Sequence, residues 1–363
     1  MTAHDLVCVE CGRSTPASVM SIRCRSCEGP LAVRYLDRAV PDSPRWPMEV
    51  SAMPSRGEGR TPVVELNVLA AELGLGRLRA KLEFLAPTGS FKDRGSVLLT
   101  GMARAAGIRA FVEDSSGNAG ASLAAYAAVG DLTAHVFVPA TAAAGKRDQI
   151  RVFGATLHLV EGPRQAVTDA ASAFAEQHGL PWLSHNLSPY FSEGMKPFAW
   201  EVAGTGAVPR HLVFPVGNGS LLIGAALGFD EAKQAGRLDG APRLHAVQSV
   251  SVAPVAYAFE GREWREEATR STVAGGIAVS RPPRLRQIVR AVERTGGTAL
   301  AVDEDAILRW HARLATAEGL FVEPTSAAAL AGVEALLARG VVAPGEDVMM
   351  PLTGSGLKDL RST

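Results

Sequence analysis

The sequence predicts an α/β protein, with two parallel-sheet βα domains behind a small N-terminal ribbon of paired cysteines. Three observations carry that prediction. A chain of 363 residues exceeds what one hydrophobic core ordinarily supports, so two domains and an appendage are expected. Apolar strands at 110–113, 134–139, 156–160 and 211–216 alternate with helical, alanine-rich segments, the pattern of a parallel sheet. All four cysteines fall in the first 27 residues, as Cys8-x-x-Cys11 and Cys24-x-x-Cys27.

The composition narrows the function. With 47% hydrophobic residues, 37 glycines and 22 prolines, the chain is a compact protein rich in turns. Thirty-seven basic residues balance 37 acidic ones, so no global field draws in nucleic acid or an anionic membrane. Met1–Glu10 lacks a basic segment followed by an apolar core, and the longest apolar stretches, such as Leu221–Phe229, fall far short of a membrane span. A cytoplasmic protein is expected.

In chain order, the ribbon comes first. Two CxxC knuckles, each near a turn-forming Gly12 or Gly29, can bring four thiolates into the closed tetrahedron of structural zinc. A redox dithiol or two disulfides fit less well, because the segment is short, has no βαβ context and carries no export signal. Arg13, Arg23 and Arg25 are not interleaved with aromatic residues, so a structural cap is expected and not a nucleic-acid contact. Asp37–Arg60, with Pro41, Pro44, Pro47 and Pro54, reads as an extended connector. Thr61–Leu66 opens the main fold, and Leu78–Phe84 alternates like a strand.

The next stretch, Ala86-Pro87-Thr88-Gly89-Ser90-Phe91-Lys92-Asp93-Arg94-Gly95, is the centre of the reading. Pro87 and Gly89 break regular structure, Ser90 is a suitable N-cap, and Ser96–Ala106 suits a helix. Lys92 then stands in a helix's first turn. The positive end of the helix disfavours its ammonium form, as imine chemistry requires. Position alone argues little, since most lysines in first turns are solvated surface residues.

Between the strand Ala110–Glu113 and its helix lies Asp114-Ser115-Ser116-Gly117-Asn118-Ala119-Gly120. Its backbone N–H groups crowd at a helix N-terminus, an anion-binding arrangement, and a plain tight turn fits the same residues. Strand Thr156–Val160, helix Arg164–His178 and Trp182–Ser184 continue the alternation. A second set of units begins near Glu201. There, strand His211–Val216 runs into Gly217-Asn218-Gly219-Ser220-Leu221, a glycine loop suited to a phosphoryl group. It is not a GxGxxG fingerprint, and no GxxxxGK[ST] occurs. Strand Leu244–Val250, helices Asp303–Glu318 and Ser326–Ala338, and strand Asp347–Leu352 follow, with the loop Thr353-Gly354-Ser355-Gly356 beyond. The eight histidines form no HExxH pair or His-x-His cluster, and no metal site is expected of them.

Four loops at strand ends thus line up: the lysine loop, Ser115–Ala119, Gly217–Leu221 and Thr353–Gly356. Together they resemble the pyridoxal-phosphate site of the tryptophan-synthase-β superfamily (fold type II), and more narrowly that of threonine synthase. The runs Pro87–Gly95, Ser115–Asn118 and Leu352–Lys358 are similar to that family's motifs, and the cysteine ribbon resembles the one some members carry. The resemblance spans nearly the whole chain.

It implies a ribbon over 1–36, a connector over 37–60, a large cofactor domain from 61–85 and 200–363, and a small domain over 86–199, with the cofactor between the last two. It also implies roles. Lys92 forms the imine with the cofactor aldehyde and then moves protons, and Asn118 bonds the cofactor's 3′ oxygen. Ser115, Ser116, Gly117, Asn118 and Ala119 line the substrate carboxylate. Gly217, Asn218, Gly219, Ser220 and Leu221 cradle the phosphate, and Thr353 faces the pyridine nitrogen, giving a milder electron sink than an aspartate. The implied function is a lyase or transferase acting by elimination or replacement on an amino-acid side chain, with O-phosphohomoserine to threonine as the family reaction and a homodimer as the family assembly. Cys8, Cys11, Cys24 and Cys27 hold the zinc.

Two departures bear on substrate. Ala119 stands where the family's run continues with threonine, and Phe191, in Ser188-Pro189-Tyr190-Phe191-Ser192-Glu193-Gly194-Met195-Lys196, stands where it carries an arginine. Both missing groups would contact the substrate phosphate, and a lost guanidinium contact of this kind is worth ~1.5–3 kcal/mol per hydrogen bond. Lys196, Arg147 and Arg151 are the cations available to compensate. A serine or threonine dehydratase, a cysteate- or cysteine-synthase-like β-replacement enzyme, and an inactive binding protein remain the alternatives.

Overall fold

Residues 4–35 build their own antiparallel sheet, which the cysteine pattern did not announce. Strand β1 (His4–Cys8) lies between β2 (Ser14–Pro16) and β3 (Leu31–Tyr35), with Leu6 opposite both Thr15 and Val33. Alternation places Leu6 and Cys8 on the covered face, where they are buried. The structure, a computed structural model, describes residues 3–37, 42–115, 117–142, 144–162 and 164–359. Ser116 and Pro41 lie outside the described residues.

Two compact units emerge, Met1–Glu58 with Ala86–Pro197, and Gly59–Leu85 with Phe198–Thr363. The second contains β4 (Val63–Glu65) and β5 (Arg77–Lys81), which pair antiparallel. The first contains β6 (Ala110–Glu113), β7 (Thr133–Pro139) and β8 (Thr156–Val160) in that order, all parallel. Each strand pair is joined through a helix, Asn118–Gly130 and then Ala144–Val152, as parallel pairing demands. Helix Arg164–His178 packs on the sheet through Val167, Ala171 and Ala175, against Val112 and Phe137.

The ribbon is anchored within this first unit. His4 Nε2 lies 3.1 Å from the Tyr190 hydroxyl, and the Tyr35 hydroxyl lies 2.7 Å from Glu193 Oε2. Buried Lys196 pairs with Glu193 at 2.6 Å and donates to the Tyr35 oxygen at 3.2 Å. The connector is less extended than the prolines predict. Met48 is buried, and a Cβ placed on Gly101 would lie 3.1 Å from its sulfur and 3.4 Å from Pro54 Cδ. Glu58 Oε2 accepts the Tyr126 hydroxyl at 2.7 Å. Burial of these apolar groups along helix Asp93–Ala105 outweighs the proline preference for a solvated chain.

In the second unit, β9 (His211–Pro215), β10 (Arg243–Ser249), β11 (Ala299–Val302) and β12 (Asp347–Pro351) complete a six-stranded sheet in the order β11-β10-β9-β12-β5-β4. All neighbours but the β4–β5 pair run parallel. The last strand is thus inserted between β9 and β5. Helix Pro324–Ala338 lies close against this sheet because its alanines and Gly332 are small: a Cβ at Gly332 would stand 2.3 Å from Val247 Cγ2. The strand expected over Leu78–Phe84 ends at Lys81. There the antiparallel and parallel registers both run out, and a 3₁₀ turn, Glu83–Leu85, takes over. No helix among the described residues is long and apolar enough to cross a membrane.

Candidate active site

The lysine loop is positioned by a buried carboxylate. Asp93 opens helix Asp93–Ala105 and is fully buried. It accepts the Thr88 backbone N–H at 2.7 Å, the Thr88 hydroxyl at 2.5 Å and the Ser122 hydroxyl at 2.6 Å. Gln149 Nε2 donates to the Thr88 carbonyl at 2.9 Å, and Gly89, at φ 79°, allows the turn back to Ala86. The expected cap differs: Lys92 itself occupies the N-cap position, with its carbonyl accepting from Gly95 and Ser96, and the Ser90 hydroxyl is buried without a partner. Asp93, carrying charge inside the first turn, takes the part assigned to Ser90. Lys92 Nζ lies 4.4 Å from the centroid of Phe91 and 5.9 Å from that of Phe191.

Ser122 ties this helix to Asn118–Gly130, since it also meets Ser96 Oγ at 2.7 Å. Ser122 lies one turn beyond Asn118. Asn118, Gly117 and Ser115 are half-buried at the end of β6, with Gly117 N–H donating to Ser115 Oγ at 3.4 Å, and Ala119 is buried. In the first unit, then, Lys92 and residues 115 and 117–119 stand at the starts of two helices that share one hydroxyl. Phe191 is fully buried, and a Cβ at Gly95 would come within 2.8 Å of its ring.

Each of the three cations that could replace an arginine at 191 has contacts of its own. Lys196 is engaged by Glu193 and Tyr35. Arg147 donates to the Ala140 carbonyl at 3.3 Å, and Arg151 is exposed beside Asp148.

The second unit holds the other predicted loops. Strands β9 and β12 are parallel neighbours, with Leu212 opposite Met349, so the chain leaves both at the same sheet edge. After β9 comes Gly217–Leu221, leading into the 15-residue helix Ser220–Gln234. Gly219, at φ 75°, is the helix N-cap, and a Cβ there would strike Ile288 at 2.4 Å. A Cβ on Gly217 would stand 3.1 Å from Ile277 Cα. Bare backbone and a helix N-terminus are therefore presented together, the arrangement that holds a phosphoryl group. Asn218 Oδ1 is buried there without a hydrogen-bond partner in the protein.

After β12 comes Thr353, buried beside Ser326. Ser326 Oγ accepts the backbone N–H of Thr353 at 2.9 Å and of Gly354 at 3.1 Å, and stands 3.0 Å from Thr353 Oγ1. The Ser326 hydroxyl also lies 3.5 Å from the Gly354 carbonyl, so one serine ties together the backbone and side chain of the 353–354 turn. Nothing in the sequence singles out Ser326. A serine opening a predicted helix reads as an ordinary helix start until the fold brings it to residue 353, and the observed helix begins two residues earlier, at Pro324. Lys81, a second lysine at the end of a strand in this unit, is committed elsewhere: it pairs with Glu201 at 2.7 Å and donates to the Thr61 carbonyl at 2.9 Å.

The four cysteine sulfurs all lie within 4.8 Å of one another. Cys8 and Cys27 are 3.5 Å apart, and Cys11 and Cys24 3.7 Å. Both distances are far beyond the about 2.05 Å of a disulfide. Glu10 and Cys11 N–H groups point at Cys8 sulfur, and Ser26 N–H at Cys24 sulfur.

Residues 54–354 match the family described as pyridoxal-phosphate dependent enzyme. The threonine synthase of Methanosarcina acetivorans is 31% identical over 376 residues, covering 98% of this chain and 92% of that protein. The threonine synthase of Methanocaldococcus jannaschii is 34% identical over 307 residues, covering 83% and 76%. Among solved structures, a threonine deaminase from T.th. superposes with a TM-score of 0.69 at 27% identity, covering 84% of this chain and 94% of that one.

Proposed function

The chain belongs to the pyridoxal-phosphate dependent enzyme family, and from that premise we propose a threonine synthase-like lyase that eliminates or replaces a substituent on an amino-acid side chain. The observation that carries this reading is the pairing of the Gly217–Leu221 cradle with Thr353 on two adjacent parallel strands. The cradle fits a phosphate, because a Cβ would clash at Gly219 and be crowded at Gly217, and the Thr353 hydroxyl would face the ring nitrogen. The cofactor, when bound, supplies the electron sink that acidifies the substrate Cα proton.

The chain's own residues do the rest. Lys92 supplies the amine that would hold the cofactor aldehyde and then take the Cα proton. Asp93, Thr88 and Ser122 keep that lysine's backbone fixed. Asn118 steadies the cofactor's 3′ oxygen, while Ser115, Ser116, Gly117 and Ala119 enclose the substrate carboxylate beside it. Gly217, Asn218, Gly219, Ser220 and Leu221 receive the phosphate. The domain boundaries of this reading are a ribbon over 1–36, a small domain over 86–199 and a large one from 61–85 and 200–363. The working form is a cytoplasmic homodimer acting on a small-molecule substrate.

The ribbon holds zinc through Cys8, Cys11, Cys24 and Cys27, as a structural element. Thiolates bound at about 2.3 Å in a tetrahedron are about 3.8 Å apart, close to the separations of the sulfurs here.

The direct test is a visible-absorption screen of the yellow holoenzyme against amino acids and their O-phospho, O-acetyl and sulfo derivatives. A spectral change confined to amino acids with a departing substituent supports the reading. A colourless protein that cannot be reconstituted, or a spectrum no amino acid moves, overturns it.

A further inference from the structure

One buried ionisable pair in the first unit has no task in the mechanism above. Glu113, the last residue of β6, is fully buried, and its Oε1 lies 2.6 Å from Nδ1 of His185, itself only 7% exposed. The segment before His185 runs beside β6: Trp182 bridges to Val112 in parallel, and Leu183 N–H donates to the Val112 carbonyl at 3.0 Å. His185 therefore emerges at the C-terminal end of β6, next to the loop that begins at Ser115. Parallel sheets bind their ligands at this edge. The imidazole also meets the Phe191 ring edge-on, with centroids 5.9 Å apart, and that ring lies 5.9 Å from Lys92 Nζ.

A carboxylate and an imidazole buried together are costly to desolvate, and an apolar pair of like volume would pack as well. What the carboxylate adds is orientation. Bonded to Nδ1, it fixes the tautomer, makes Nε2 the proton-exchanging nitrogen and stabilises the imidazolium when it forms.

Resting on the pyridoxal-phosphate reading, we propose that His185, oriented by Glu113, exchanges a proton with the substrate's side-chain substituent, and that the substrate carries a hydroxyl in preference to a phosphate ester. For L-serine the step balances as follows. The Lys92 amine takes the Cα proton, and the Cα–H electron pair becomes the Cα–Cβ double bond. The Cβ–O pair leaves with oxygen, which takes the His185 Nε2 proton and departs as water. Lys92 then gives the Cα proton to solvent, solvent restores the His185 imidazolium from which the Nε2 proton came, and the released unsaturated amine tautomerises and hydrolyses to pyruvate and ammonia. Phosphate leaves without needing a proton and is steadied by cations, which Phe191 does not provide.

The experiment compares L-serine with β-chloro-L-alanine, whose chloride leaves unprotonated, in the wild-type holoenzyme, His185→Gln and Glu113→Gln. Loss of a positioned general acid is worth about 10²–10⁴-fold, so His185→Gln should lose at least about a hundredfold on L-serine and far less on the chloride. Glu113→Gln should lose in the same substrate-dependent direction. A second readout does not need turnover. In ¹⁵N-histidine-labelled holoenzyme, the His185 resonance, assigned by its absence in His185→Gln, should move with L-serine and stay put with L-alanine, which has no substituent.

Equal losses on both substrates with an unmoved resonance mean a packing role and overturn the proposal, as does no loss on either. A wild type that turns over O-phosphohomoserine in preference to L-serine overturns the substrate class. A wild type without cofactor absorbance brings down the functional reading itself, an outcome distinct from those.

Discussion

Thr88 donates twice to one carboxylate, through its backbone N–H to Asp93 Oδ2 at 2.7 Å and through its hydroxyl to Asp93 Oδ1 at 2.5 Å. The residue that precedes Asp93 is Lys92, so this clasp sets where the lysine's backbone stands. Asp93→Asn removes the charge and turns one acceptor into a donor facing donors. Hydrogen bonds to a charged group are worth ~1.5–3 kcal/mol each, and a loss of that order in unfolding free energy is expected. Denaturant titration measures it, and an unchanged midpoint would contradict the assignment.

Lys92→Ala should abolish the reducible imine, because only that side-chain amine condenses with the aldehyde in this reading. Borohydride treatment of the wild type, followed by peptide mapping, should label the peptide that contains Lys92. A label on Lys81 or elsewhere refutes the assignment.

The four loops proposed to carry the chemistry stand at strand ends as expected, because their residue types are constrained locally. Gly217 and Gly219 are dictated by close approach and positive φ, and the Ser115–Asn118 run sits where a strand must turn into a helix. What was not legible depends on partners distant in sequence. Asp93 reads as an ordinary first-turn acid until Ser122, 29 residues on, points at it, and Ser326 matters only because β12 inserts beside β9. The same holds for His185, whose partner Glu113 lies 72 residues away. The ribbon's thiols were evident from spacing, while its contact with Tyr190, 186 residues from His4, was not.

Metal analysis should find one zinc per chain. Serine at Cys8, Cys11, Cys24 or Cys27 should lower the metal content and loosen residues 3–35, with the cofactor absorbance retained. Removal of the metal by a chelator should do the same. Loss of the imine absorbance on metal removal, with the fold intact, would assign the ribbon a catalytic part.

The pocket beside Lys92 is apolar at 191. O-phosphohomoserine should therefore be used poorly, with kcat/KM below the usual ~10⁴ M⁻¹s⁻¹. Phe191→Arg should raise its use relative to L-serine. The ring is fully buried and packs close to Gly95, and Phe191→Ala should cost about 3–5 kcal/mol of stability. Efficient threonine formation by the wild type would show that Ala119 and Phe191 do not deplete the phosphate contact.

Acid should destabilise the second unit through a histidine chain. Thr298 N–H donates to His245 Nδ1 at 3.1 Å, His245 Nε2 to His211 Nδ1 at 2.9 Å, and His211 Nε2 to Glu346 Oε2 at 3.0 Å. Burial, with a smaller contribution from His211, pushes His245 down to about 3, and burial also lowers His211 against the pull of Glu346. Both rings are neutral when folded and titrate near 6.5 when unfolded. The unfolded chain thus binds more protons as pH falls below about 6.5, so this stability is complete above that value and drains away toward about 3, at about 1.36 kcal/mol per pK unit. Urea melts across pH 8 to 5 should show the decline, and His245→Gln should flatten it.

The segment between ribbon and body has a consequence for modularity. Met48 and Pro54 lie against helix Asp93–Ala105 at Gly101, and Glu58 receives the Tyr126 hydroxyl from helix Asn118–Gly130. These are the two helices whose starts carry Lys92 and Asn118. Residues 42–58 therefore behave as a belt buckled around the lysine-bearing half, not as part of a detachable tag. Fusing the body to a foreign N-terminal domain at Gly59 strips apolar cover from one helix and leaves a buried tyrosine hydroxyl without its acceptor on the other. A chain shortened in this way should lose solubility before it loses its active-site residues, and grafting back residues 42–58 alone should recover more of it than grafting back the ribbon alone.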